Sequence, residues 1–277
     1  MQRTITVLLV TGLILLTLAC GAGPPQPGTP EFYWAAVKTA YATGDYLKAN
    51  DGLAQLVKTD SELGVRSQPL AIIISTGIAQ AYTELSDSFD KGSEANRDSF
   101  TALHRQTNVF RSHAGTATLE CAEAVQKFLA GAKADSITVE LPYPTGNVAE
   151  PAQLERISKG ANLPAGELET LQRDMLRRGV VLSMLHFVGA GDDPAKGAEI
   201  FKSGEVKVPR AVFVEQMAKA LLDRCDLFSG KKLDKPEQVN MFCDMADQGL
   251  KSIPATNDTK ALSDRLAKIR KAVLKKT

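Results

Sequence analysis

Nine residues from Phe100 to Phe128 recur at spacings that alternate three and four: Phe100, Leu103, Thr107, Phe110, Ala114, Ala117, Cys121, Ala124 and Phe128. An α-helix turns once every ~3.6 residues, so this rhythm puts all nine on one face; a strand would divide them between two. The middle of that face is small (Ala114, Gly115, Ala117), so a second helix can lie close against it. A helix this long needs partners of similar length. The chain that contains it is therefore built largely of helices.

The rest of the sequence agrees. Residues 69–89 form a mostly apolar run opened by Pro69, which fits the first turn of a helix. Residues 90–96 are polar and predict a break, with the long helix starting at Asp98 or Ser99 and ending near Ala130. Further helices are expected over 151–159, 164–188, 194–202, 209–228, 236–253 and 258–275, several of them again opened by proline. Residues 180–188 are apolar nearly all round and predict a central helix covered on several sides. Only Ile137-Thr138-Val139-Glu140-Leu141 alternates like a strand, and Pro142, Pro144 and Gly146 stop it. It has no evident partner strand, so residues 136–149 are expected to form an extended crossover. The expected fold is all-α, with antiparallel helical hairpins stacked into a bundle. Residues 31–134 form one helical subdomain, 135–150 a linker and 151–277 a second subdomain.

Location comes from the first twenty residues. Arg3 supplies a positive charge, residues 5–19 are apolar with only Thr and Gly as interruptions, and Leu16-Thr17-Leu18-Ala19-Cys20 closes the run. Fifteen residues fall short of the ~20 needed to span a bilayer as a helix. A charged start, an apolar middle and a small-residue cut site read as an export signal. These residues resemble the lipobox signal of bacterial lipoproteins. The resemblance implies cleavage before Cys20, a diacylglycerol on its thiol and stable attachment to a membrane. Gly21 after the cysteine resembles the sorting default for the outer membrane, with the body facing the periplasm. The other reading of the same residues is an ordinary secretory signal cut near Ala19, leaving Cys20 as a free thiol. Residues 21–30 are Gly- and Pro-rich and predict an extended tether.

Residues 31–57 read as a helical pair. Gly44-Asp45 breaks it, and Tyr46, Ala49, Leu53 and Leu56 mark one face of its second helix. The run Tyr33, Tyr41, Gly44-Asp45-Tyr46, Lys48-Ala49 and Leu53 resembles a tetratricopeptide repeat. The resemblance implies a close helix pair with Ala49 at the contact and Gly44 at the turn. It also implies a surface for a protein or peptide partner, and Tyr33, Trp34, Tyr41 and Tyr46 are the candidate partner residues. A poorer echo occurs at Gly191-Asp192-Asp193, Ala195-Lys196 and Ala198.

Charge argues against one class of partner. Arg3 is the signal's only charged residue, which leaves 32 basic against 32 acidic residues in the mature chain. A neutral balance does not suit nucleic acid as the main partner.

No catalytic constellation stands out. There is no CxxC, HExxH, Walker loop or GxGxxG. SxxK occurs at Ser88 and Ser229 without the companion elements of penicillin-binding enzymes. His104 and His113 are nine residues apart and face opposite sides of one helix, so they cannot share a metal. His186 lies in an apolar run and reads as a satisfied core histidine. No cofactor or metal is expected, and the chain reads as a binding protein rather than an enzyme.

Cys121 falls in its own apolar stripe and reads as a small buried hydrophobe. Cys225 and Cys243 lie on consecutive helices at similar depths from the turn. A disulfide there would close about nineteen residues and stabilise by ~3 kcal/mol; two buried free thiols are the other reading. The C-terminal helix carries Leu262, Leu266, Ile269 and Val273 on one face with Arg265, Lys268, Arg270 and Lys271 around it. It touches anionic lipid or an acidic partner, or simply packs; a narrow stripe without Trp or Phe favours packing.

Two kinds of binding remain in view. One is an adaptor that holds a protein or peptide. The other is a carrier of an apolar small molecule lodged between residues 100–128 and 180–188.

Overall fold

The computed structural model describes residues 25–274 apart from 132, 145, 147 and 231. Cys20, the expected export signal and the first part of the expected tether lie outside the described residues. The fold is all-α, with ten helices and one small two-stranded sheet among the described residues.

The first pair is α1 (Pro30–Ala42) and α2 (Tyr46–Val57). The Thr29 hydroxyl accepts from Phe32 N at 3.3 Å and Pro30 follows at the first helical position, which together start α1. Gly44 turns the chain at φ +76°, and Asp45 caps α2 through Lys48 N. Ala49 is fully buried, but the tightest approach is one turn on at Gly52. A Cβ there would come 2.7 Å from the Val37 side chain.

The centre of the molecule is α3 (Glu62–Ala95), which packs against α2, α4 (Phe100–Ala130), α5 (Ala152–Ser158) and α6 (Ala165–Phe187). It starts seven residues before the expected first turn, because the Ser61 hydroxyl accepts from Gly64 N at 3.0 Å. Pro69 therefore stands inside the helix. Val65, whose carbonyl Pro69 cannot serve, is 54% exposed, so water can take that bond. The expected polar break at 90–96 is also absent, and the helix runs to Ala95. Asn96 then makes the turn. Its Oδ1 accepts from Asp98 N and Ser99 N, and its Nδ2 donates to Gly160 O at 3.0 Å. Every residue from Ser67 to Ala79 is buried, so α3 shares the central place expected for 180–188 alone. Each fully buried Ile of the run Ile72-Ile73-Ile74 contributes about 1.5–3 kcal/mol relative to exposure.

Eight of the nine stripe residues on α4 are buried, and only Phe100 at the first turn is exposed. Sequence periodicity and packing coincide here.

The expected lone strand has a partner. β1 (Ser136–Val139) pairs antiparallel with β2 (Val206–Pro209), Ile137 opposite Val208 and Val139 opposite Val206. All four of these residues are buried, while Lys207 is exposed. The alternation Val206-Lys207-Val208 is short and lies next to Pro209, so it reads poorly as a strand until β1 lies beside it. Arg66 then grips Glu140 through Nε and Nη2 at 2.7 and 2.9 Å, and Arg178 Nε donates to Val148 O at 2.9 Å. The crossover is thereby held at both ends.

After α7 (Pro194–Ile200) and β2, the chain ends in α8 (Arg210–Phe228), α9 (Pro236–Lys251) and α10 (Asn257–Leu274). Leu266 and Val273 on α10 are buried, Arg265 pairs with Asp223, and Arg270 pairs with Asp244 and Asp247. Two of the basic side chains of α10 are thus engaged by neighbouring helices, while Lys268 and Lys271 stay exposed. One apolar core runs from Val37 to Val273 through both halves of the chain. No described helix is long and apolar enough to cross a membrane.

Candidate binding groove

A concavity lined by two of the expected partner residues, Tyr41 and Tyr46, has a volume of about 620 Å³. Three segments form it. The α1–α2 turn supplies Tyr41, Thr43, Gly44 and Tyr46; the crossover supplies Pro142, Tyr143 and Pro144; and α6 supplies Arg173, Asp174 and Arg177.

Local chemistry explains each part. The Tyr41 and Tyr46 rings meet edge to face, 5.6 Å apart, and brace the turn around Gly44. The Tyr41 hydroxyl donates to Pro142 O at 2.8 Å, which ties the helical pair to the crossover. Prolines at 142 and 144 keep that segment extended and leave its carbonyls available. Arg173 and Arg177 stand four residues apart on α6 and are both exposed. A Cβ at Gly146 would come 3.1 Å from Arg177 Nε, so the crossover passes close to that side chain.

Burial pushes the Tyr41 phenol well above its usual range, with Tyr46 and Tyr143 adding to it. Tyr46 is pushed up by burial too, with Arg177 opposing. Burial and then Asp193 push Tyr143 up. All three phenols therefore stay protonated at neutral pH and offer donors and ring faces, not charge. The charge of the groove is set by Arg173 and Arg177 against Asp174. The Tyr143 hydroxyl is enclosed without a hydrogen-bond partner among the described residues.

The four expected partner residues separate. Tyr41 and Tyr46 are core residues, 5% and 4% exposed, and present only an edge to the groove. Tyr33 and Trp34 are half-buried against the core and do not line it. Tyr143, Arg173 and Arg177 were missed by the sequence reading. The spacing of the two arginines was visible, but nothing local says that the α1–α2 turn faces them.

The cysteines sort as follows. Cys121 is a buried free thiol, with Thr76 Oγ1 3.4 Å from its Sγ. Cys225 and Cys243 are also free and buried, and the Cys225 S–H donates to Leu221 O at 3.5 Å. The neighbouring Cys243 holds the Cys225 thiol well above its usual range, and Cys225 lowers the Cys243 thiol in turn. His186 is not a core residue. It is half-exposed on α6, with Nε2 2.7 Å from Asp192 Oδ1. No group of three His, Cys, Asp or Glu side chains among the described residues is placed to hold a metal ion.

Comparison with protein families, with curated proteins and with solved structures finds no match to this chain. The functional reading therefore rests on the groove's own geometry.

Proposed function

We propose that the protein is a lipid-anchored helical adaptor of the cell envelope. In this reading Cys20 carries the lipid, the body faces the periplasm from the outer membrane, and the groove holds an extended, acidic segment of a protein or peptide without catalysis. The supporting observation is the groove itself: a concavity of about 620 Å³ with tyrosine and proline walls and the solvent-exposed residues Arg173 and Arg177 on one rim. Rigid aromatic walls give contact area at little entropic penalty, and arginine forks suit carboxylates. The test is crosslinking and co-purification from solubilised membranes, with the Arg173→Glu/Arg177→Glu double variant beside the natural chain. A specific polypeptide captured by the natural chain and lost with the double variant supports the reading. Equal capture by both sinks the groove. A Cys20→Ala variant that stays with the membrane sinks the anchor.

A second reading, an apolar small-molecule carrier, keeps one supporting observation but changes place. The space expected between 100–128 and 180–188 is filled by α3, which packs against both of their helices. A different cavity of about 310 Å³ lies among Phe228, Val239, Ile269, Ala272 and Val273, with Cys225 on its wall. Native mass spectrometry that finds a retained apolar ligand, displaced by Ala272→Phe, would favour this reading.

A further inference from the structure

A second cavity, of about 270 Å³, opens between α3, α6 and α8. At its wall stands Arg224, a largely buried cation. Its Nη1 donates to Thr83 Oγ1 at 2.9 Å and to Ala79 O at 3.4 Å, both uncharged. Its Nε is enclosed and has no partner among the described residues, and its Nη2 makes no hydrogen bond among them either. Nε is thus closed off behind the cavity wall, and Nη2 is the guanidinium nitrogen left to meet a ligand there.

The neighbouring carboxylates make no direct ion pair with it, although Asp223 and Glu84, which line the cavity, and Asp87 act on it through space. Glu84 is held by Arg178, Asp223 by Arg265, and Asp87 by Lys232 at 2.7 Å. His186 on the same wall is engaged with Asp192. Lys219, exposed at the cavity, makes no ion pair among the described residues. Burial lowers the Arg224 pKa, and the through-space attraction of Asp223, Glu84 and Asp87 offsets this only in part. A buried cation without a partner is a large penalty, and a bound anion removes it.

We propose that this cavity binds a small organic acid, whose carboxylate accepts from Nη2 of Arg224 and whose remaining polar atoms meet Gln80, Gln216 and Lys219. The volume lies just below the ~300–1,000 Å³ of sites for drug-sized molecules, which sets the ligand at the scale of a small metabolite. A dicarboxylate gains a second contact at Lys219. The site is separate from the tyrosine-lined groove, and its ligand is separate from the polypeptide proposed there.

The test is calorimetric titration of the full mature chain with acetate, succinate and inorganic phosphate at constant ionic strength. Saturable binding of succinate is expected, tighter than acetate. Arg224→Gln should weaken it by ~10–100-fold, the value of a charge-assisted hydrogen bond. Lys219→Ala should reduce succinate binding to the level of acetate. Because Arg224 also bonds to α3, Ala220→Leu serves as a second variant: it fills the cavity, leaves Arg224 intact and should abolish binding with the helical spectrum unchanged. Absence of saturable carboxylate binding to the natural chain overturns the proposal. So does undiminished binding in Ala220→Leu, or saturation by phosphate alone.

Discussion

Gly77 and Gly179 hold α3 and α6 in backbone contact. A Cβ on Gly77 would come 2.6 Å from Gly179 O, and one on Gly179 would come 2.2 Å from Gly77 O. Beside this crossing the Ser183 hydroxyl donates to Ile73 O at 2.6 Å, so the two helices are also bonded across their axes. Both glycines have ordinary helical φ, so their role is space, not conformational freedom. The crossing places α6, and with it Arg173 and Arg177, beside the groove.

Gly77→Ala or Gly179→Ala should therefore destabilise the fold. Alanine gains up to ~1 kcal/mol of helix propensity, but the clash is with backbone and the helices must part. A net loss of about 1–3 kcal/mol is expected, read as a lower Tm in thermal circular dichroism. Unchanged stability in both variants would show that the crossing is looser than described.

Tyr41→Phe removes one hydrogen bond and nothing else. The loss should be about 1 kcal/mol, or a Tm lower by ~2–4 °C in a chain of this size. The crossover should also loosen at Pro142, seen as faster amide exchange in residues 141–148. Wild-type exchange rates there would show that the Tyr41 bond does not hold the crossover.

Cys225 and Cys243 should close to a disulfide when a small external disulfide or diamide takes their two electrons and two protons. Free thiols titrated in denaturant among the described cysteines should fall from three to one, leaving Cys121. The bridge should add ~3 kcal/mol to stability. Three titratable thiols after oxidant treatment would refute the pairing.

Glu120 is expected to make stability pH-dependent. Burial holds its carboxyl above the usual range, against the Asn50 amide, which donates to Oε2 at 2.6 Å. With the folded pKa above the unfolded one, the native state takes up the proton more readily. Stability therefore falls as pH rises from the ordinary carboxylate value through the folded pKa, and the penalty is complete above it. Glu120→Gln should raise Tm slightly at neutral pH and not below pH 4. An equal shift at both pH values would refute this.

The α4 stripe and the starts of α1 and α2 were legible in the sequence because they depend on contacts within a few residues. Helical periodicity sorts faces, and Thr29, Gly44 and Asp45 act on their immediate neighbours. The start of α3 was misread for a related reason: Pro69 is a strong local signal, and it was outweighed by the Ser61 cap and by burial on every side.

The amino-acid order by itself determined that this chain is helical, where most of its helices lie and which faces are apolar. Only the tertiary structure decided that α3 is enclosed, that β1 finds β2 about seventy residues away, that Tyr41 meets Pro142 and that Arg224 bonds to uncharged groups on α3. The reason is range. Periodicity, caps and turns express energies between near neighbours along the chain. Enclosure, strand partnership and the company a buried charge keeps depend on which faces meet when the whole core closes.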